Sequence, residues 1–100
     1  MASADLVQQS TEATTVTEAI MAVGTRLHDN NIEVRLQALN ALMDLADRGD
    51  SRAVQVISQH YNNLAPGVRT LVMEKLGKVM DKGNVDIITA VRKYMDDEFP

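Results

Sequence analysis

Few side chains in this sequence are of a type that carries out catalysis or binds a metal. The two histidines, His28 and His60, each stand near the carboxyl end of a predicted helix, where an imidazole usually interacts with the helix dipole. Cysteine is absent, which excludes thiolate metal sites and cysteine nucleophiles. The acidic run 96–98 lacks the spaced oxygen ligands and central glycine of a calcium loop. We therefore expect no catalytic residue, no metal site and no bound cofactor.

The composition indicates helices packed on helices. Residues of the hydrophobic set make up 45% of the 100-residue chain, but only Tyr61, Tyr94 and Phe99 are aromatic, so the core must be aliphatic. The net charge of −4 disfavours a general nucleic-acid binder, because phosphate contacts need clustered Lys and Arg. Residues 17–50 hold three basic and six acidic side chains, whereas 51–84 hold five basic and two acidic ones. This asymmetry reflects either solvated helix faces or a functional acidic-to-basic polarity.

The N-terminal residues carry no targeting signal that we can identify. Residues 1–15 are rich in Ser, Thr, Gln and Ala, which predicts a flexible tail or a weak helix. Asp5 and Glu12 are present and no basic residue precedes Arg26, unlike a signal or transit peptide. No run approaches the ~20 apolar residues of a membrane span. We expect a cytoplasmic protein with no membrane contact.

From Val16 onward the apolar residues follow helical spacing, and turn-forming residues separate the segments. Gly49 and Gly83 can each adopt the left-handed conformation that ends a helix, and Asn84 can cap the helix that follows. Pro66 suits the first turn of a helix, where its missing N–H has no cost. The sequence predicts five helices, near 17–28, 32–47, 51–62, 66–81 and 85–97.

The sequence also repeats itself with a period of 34 residues. Few identities recur, but apolar character recurs at spacings of three and four, as one buried face of a repeated helix requires. The recurring positions include Ala19, Ala53 and Ile87; Val23, Ile57 and Val91; Leu27, Tyr61 and Met95; Ala38 and Val72; Leu42 and Leu76; and Gly49 and Gly83.

The two stretches VRLQALNALMDLADRGDSRAVQVISQHYNN and VRTLVMEKLGKVMDKGNVDIITAVRKYMDD resemble HEAT-like repeats of the short kind seen in phycobilisome lyases. The resemblance covers about 17–98, as two repeats and one extra first helix. It implies an all-α fold, a right-handed α-solenoid of about five helices within a domain spanning 16–100. Tetratricopeptide repeats share the period, but the small residue Gly24 becomes Ser58 and Arg92. A tetratricopeptide-like array or a plain helical bundle stays open.

The resemblance also gives roles to two recurring arginines, Arg35 and Arg69. In the family, an arginine at this position reaches a turn Asp or Asn of an adjacent repeat and forms a polar ladder. Carried over to this chain, Arg35 pairs with Asp29 and Arg69 pairs with Asn63, and we expect both arginines to satisfy turn carbonyls as well. Direct ligand binding by these arginines is the alternative.

Stacked helix pairs present a curved face whose inner wall comes from the second helix of each pair. We therefore expect a non-catalytic protein–protein interaction or scaffold module that binds a protein or peptide. Leu36 and Met43 are apolar at positions expected to be exposed, which favours a peptide over a phosphate. The candidate partner-binding residues are Leu36, Asn40, Met43, Asp44, Thr70, Glu74 and Lys78.

Two other functions stay open. Likeness to the lyase repeats suggests an accessory subunit of a bilin-attaching lyase or another cofactor-handling complex, which would bind a tetrapyrrole or its carrier protein. Nucleic-acid binding is a weaker third, and would use the basic residues Arg52, Arg69, Lys75, Lys78 and Lys82.

The terminal units of a repeat array need a polar outer face, and the ends of this array lack one. We therefore expect both ends to associate with other protein surfaces. Helix 85–97 repeats the full apolar set, so we expect Ala90, Tyr94 and Phe99 to stay open. The other end would be covered only if Leu6 and Val7 fold over helix 17–28. This predicts a homo-oligomer or a subunit of a larger assembly.

Overall fold

The computed structural model describes residues 15–98, which form helices and turns with no strand in that range. The all-α prediction is confirmed. Counted with the 3-10 turns that follow them, the second to fifth helices begin and end within one residue of the predicted bounds, and the first helix ends with its turn at residue 28, as predicted. The predictions for the N-terminal tail, for Leu6 and Val7, and for Phe99 concern residues outside the described range. The helices are α1 (15–25), α2 (Ile32–Asp47), α3 (Ser51–His60), α4 (Pro66–Asp81) and α5 (Val85–Met95); the 3-10 turns Arg26–His28, Tyr61–Asn63 and Asp96–Glu98 follow α1, α3 and α5.

Side-chain caps set where the helices begin. Asn31 accepts the backbone N–H of Glu33, and Asn84 accepts that of Ile87. Asp50 accepts the N–H of Arg52 and also binds its guanidinium, with 2.7 Å between Asp50 Oδ2 and Arg52 Nη2. Each cap satisfies one of the N–H groups that a helix leaves unpaired in its first turn. Helix α4 begins at Pro66, which has no backbone N–H that needs a partner.

Glycines in the left-handed conformation end the two long helices. The φ angles of Gly49 and Gly83 are +93° and +79°. After α2, the Gly49 N–H donates to the Ala46 carbonyl and the Asp50 N–H donates to the Leu45 carbonyl, each at 2.9 Å. This pair of hydrogen bonds closes the helix end and turns the chain toward α3. At the 34-residue offset the Gly83 N–H donates to the Met80 carbonyl at 3.0 Å, so the left-handed glycine and the first of the two hydrogen bonds recur.

The core is aliphatic, with Tyr61 as an aromatic member at its edge. None of the described residues that are buried is polar or charged, so hydrophobic burial is the main stabilising term. The largest fully buried side chains are Leu27, Leu39, Leu42, Val54, Ile57, Val72, Leu76, Ile87, Val91 and Met95.

Helices two apart in the chain pack against each other. α2 contacts α4, and α3 contacts α5, in addition to the contacts of α2 with α3 and of α4 with α5. No described helix has both the length and the apolar character needed to cross a membrane.

The C-terminal end of the array is better covered than the sequence predicted. Ala90, expected to stay open, is only 5% exposed, because α5 packs its apolar residues against α3. Tyr94 is exposed, as expected, and its ring lies beside the ammonium of Lys93. The expectation that Ala90 contributes to an adhesive end is therefore wrong.

A matched pair of glycine substitutions tests the turn chemistry. Gly83→Ala should lower the free energy of unfolding by about 1–2 kcal/mol, because an L side chain disfavours the left-handed conformation. Gly77 lies inside α4, and a Cβ added there would meet no atom within 4 Å, so Gly77→Ala should raise the free energy of unfolding by up to about 1 kcal/mol. Urea denaturation measures both. An unchanged or raised free energy of unfolding in Gly83→Ala would show that the backbone conformation at Gly83 is not what ends α4.

Candidate functional site

An open groove runs between α2 and α4, the second helices of the two predicted repeats. Its volume is about 230 Å³. α2 and α4 are neighbours, so residues of both helices reach the same surface. The groove is lined by Asn40, Met43, Asp44 and Asp47 from α2 and by Lys75, Lys78 and Val79 from α4.

The two walls of this α2/α4 groove carry opposite charges. Asp44 and Asp47 line it on α2, whereas Lys75 and Lys78 line it on α4. Asp47 also forms a salt bridge with Lys82, which links the carboxyl ends of the two helices. Acidic residues of 17–50 and basic residues of 51–84 therefore face each other across this groove.

The floor of the groove is apolar. Met43 is 6% exposed and Val79 is 7% exposed, although both line the groove. The prediction that Met43 lies on an exposed face is wrong, because α4 covers this position of α2. One repeat later the equivalent residue is Gly77, whose Cβ position has no atom within 4 Å. Met43 is thus part of the core that also closes the bottom of the groove.

The structure brings together only part of the predicted partner-binding set. Asn40, Met43, Asp44 and Lys78 line the groove, but Leu36, Thr70 and Glu74 are not among its lining residues. Leu36 is half-buried, and the Thr70 hydroxyl donates to the Pro66 carbonyl at 3.1 Å. Glu74 lies 4.0 Å from Lys78 on the exposed side of α4.

Three lining residues were missed by the sequence prediction: Asp47, Lys75 and Val79. A signal for two of them was available, since Asp47 follows Asp44 by three residues and Lys75 precedes Lys78 by three. Residues three apart share a helix face. Val79 was assigned to the core by its apolar repeat position, and burial does not exclude a residue from a groove floor.

The recurring arginines bind turn carbonyls. Arg35 Nη1 donates to the backbone carbonyl of Asp29 at 2.7 Å, and Arg69 Nη1 donates to that of Leu64 at 3.0 Å. The prediction that both arginines satisfy turn carbonyls is confirmed, but the predicted pairing of Arg69 with Asn63 is wrong. Helical side chains point toward the helix N-terminus, so each guanidinium lies over the turn before its own helix.

The carboxylate of Asp29 has another partner. It accepts the backbone N–H of Asn31 at 2.9 Å, which leaves the main-chain carbonyl of Asp29 for Arg35. Both arginine bonds therefore stay within one turn and its following helix. They do not form the predicted ladder between neighbouring repeats.

The two histidines meet, which the sequence prediction did not foresee. His28 Nε2 and His60 Nδ1 lie 2.8 Å apart, and the ring centroids are 4.9 Å apart with 51° between the ring planes. Gly24 makes the contact possible: a Cβ at that position would clash with Val56 Cγ1 and lie 3.1 Å from His60 Nε2. The absence of a side chain lets α1 approach α3 closely.

Comparison with family models, curated proteins and solved structures gives no match for this chain. The described residues also hold no group of three or more side chains placed to bind a metal ion. The functional interpretation therefore depends on the groove and on the arrangement of the helices.

The arginine–carbonyl bond gives a second prediction. Arg69→Ala should lower the free energy of unfolding by about 1–3 kcal/mol, because the carbonyl of the buried residue Leu64 loses a charged donor. Arg92→Ala is the matched control: Arg92 is exposed on α5, so its loss should change stability by less than about 0.5 kcal/mol. Thermal and urea unfolding compare the two. Equal losses would mean that Arg69 does not support the turn before α4.

Proposed function

We propose that the chain is a non-catalytic protein-interaction module built as a right-handed α-solenoid of HEAT-like helix pairs. In this proposal 32–65 forms one unit and 66–99 repeats it. Two observations support the arrangement: apolar positions recur at an offset of 34, and α2 contacts α4 while α3 contacts α5. In stacked repeats each unit contacts its neighbours in this way and presents one continuous face.

The α2/α4 groove is the proposed binding surface, and its apolar floor between walls of opposite charge is the observation that carries the proposal. At about 230 Å³ and open to solvent, it is smaller than the roughly 300–1,000 Å³ of pockets that enclose a small molecule. One or two side chains of a larger partner fit it better than a tetrapyrrole does. This favours a polypeptide over a cofactor.

The charges specify the chemistry of the partner. Asp44 and Asp47 attract basic side chains, and Lys75 and Lys78 attract acidic ones. We therefore propose a helical peptide segment with basic residues along one edge and acidic residues along the other. An apolar side chain between the edges would reach Met43 and Val79. Exposed ion pairs contribute about 0–1 kcal/mol each, so the apolar contact supplies most of the affinity and the charges set the orientation.

Site-directed photocrosslinking tests the proposal in cells that produce the protein naturally. A photoreactive amino acid at Asn40, on the groove wall, should form a protease-sensitive adduct with a polypeptide. The same amino acid at Thr89, an exposed position of α5 outside the groove, should not. Combining Asp44→Lys with Lys78→Glu keeps the net charge of the chain, but leaves each wall with one positive and one negative side chain, because Asp47 and Lys75 stay in place. The loss of the charge difference between the walls should reduce the Asn40 adduct at least about tenfold, equivalent to 1.4 kcal/mol.

Both charge substitutions are at exposed positions, so unchanged helical content and melting temperature would serve as the folding control. A nuclease-sensitive adduct, adducts from Thr89 alone, or an Asn40 adduct unaffected by the double substitution would each contradict the proposed groove function.

A further inference from the structure

The His28–His60 contact has the geometry of a hydrogen bond between two imidazole rings. The ring centroids are 4.9 Å apart and the facing nitrogens 2.8 Å apart. The difference, 4.9 − 2.8 = 2.1 Å, is about the sum of two imidazole ring radii. Both nitrogens therefore lie near the line that joins the rings, so one ring donates its N–H directly to the lone pair of the other.

The same geometry is unsuitable for a metal ion. A metal between two facing nitrogens needs a bond of about 2.0–2.1 Å to each, and thus a separation of roughly 4 Å. At 2.8 Å there is space for a proton alone. The pair is therefore a site that responds to protons.

The histidine pair fastens one end of the first helical segment (15–28) to α3. That segment contributes Ile20, 4% exposed, and Leu27, 1% exposed, to the core. At the other side of its described part, Arg52 Nη1 of α3 donates to Thr17 Oγ1 at 3.5 Å. The described part of the segment is thus held by apolar packing and by polar contacts at Thr17 and His28.

Protonation affects this pair in two unequal steps. One proton added to the pair leaves a donor facing an acceptor, so the hydrogen bond persists. A second proton leaves two N–H groups and two positive charges facing each other, which breaks the bond and adds repulsion. Burial lowers the pKa of His60, and the positive charge on His28 lowers it further.

The sign of the effect on stability follows from these protonation steps. Because the pKa of His60 is lowered in the folded chain, the unfolded chain binds more protons as pH falls below the ordinary histidine value of about 6.5. The stabilisation is complete above that pH and is lost as pH falls through the lowered pKa.

Other charged groups lie near His28. Arg26 precedes it on the first helical segment, Asp29 follows it directly in the chain, and from α2 the guanidinium of Arg35 donates to the Asp29 carbonyl. On the α3 side, the charge that acts on His60 is that of His28. Histidine is the side-chain type that ordinarily changes charge between pH 5 and 8.

We propose that His28 and His60 form an acid-sensitive clasp that fastens the first helical segment (15–28) to α3, and that double protonation of the clasp loosens this segment selectively. Opening would uncover Ile20, Leu27 and the side of α3 that faces Gly24. The surface available at the N-terminal end of the array would therefore depend on pH, independently of the α2/α4 groove.

Hydrogen exchange measured by mass spectrometry tests the clasp on the full chain. Between about pH 7.5 and about pH 5, after correction for intrinsic exchange rates, protection of 15–28 should fall about tenfold relative to α5. A change of that order is expected when one hydrogen bond is lost and a charge repulsion is added. The double variant His28→Gln with His60→Gln should show no such selective loss, because glutamine does not titrate.

Arg52→Gln is the matched control. It removes the 3.5 Å contact between the Arg52 guanidinium and the Thr17 hydroxyl, so protection of 15–28 should be lower at every pH while its pH dependence stays. A loss of protection spread equally over all helices, or a selective loss that persists in the double glutamine variant, would overturn the proposal.

Should the double variant fail to fold, NMR titration of the two imidazole rings in the unmodified chain decides the question. The proposal requires linked titrations, with the second proton binding well below the ordinary histidine range. Two independent titrations near pH 6.5 would show that the rings do not interact in solution.

Discussion

The structure depends on contacts between helices that are two apart in the chain. None of the helices α2 to α5 can bury its apolar stripe against its immediate neighbour alone, because each contacts at least two others. α3 shows this most clearly: Ala53, Val54 and Ile57 have no exposed surface, since α3 lies against α2 and α5 and receives the first helical segment through Gly24. A helix covered on several sides must keep small and branched residues in register with each neighbour.

This requirement explains why the turns are so closely defined. A shift of one residue in a turn would rotate the next helix by about 100° and move its apolar stripe out of the core. Gly49 and Gly83 end their helices in the left-handed conformation, and Arg35 and Arg69 hold the carbonyls of the turns before theirs. The polar groups at the turns thus keep the aliphatic core in register.

The sequence predicted the features that depend on residues close by in the chain and missed those that depend on packing between helices. Helix bounds follow from caps, glycines and proline, all of which act within a few residues. Exposure of Met43 and Ala90 depends on which helix lies above them, and helical periodicity does not contain that information. The error at Asn63 had a different cause, since the direction of helical side chains already favours a turn carbonyl over the predicted amide.

The 34-residue repeat does not predict the contact between the two histidines. The two residues are 32 positions apart, which does not match the 34-residue repeat, so neither occupies the repeat position of the other. Their meeting depends on how closely α1 approaches α3. Gly24 was the available signal, because Ser58 and Arg92 occupy the equivalent positions in the later helices and only Gly24 removes the Cβ.

The position of the histidine pair in the array determines how much one hydrogen bond can do. In the middle of the array, a helix such as α3 is held by many fully buried side chains, each worth about 1.5–3 kcal/mol, and a bond of about 1 kcal/mol would change little. In the first helical segment, Met21 is half exposed and Ile20 and Leu27 are the buried large residues. Local opening needs the least free energy where such contacts are fewest, so a proton-dependent contact has its largest effect at this end.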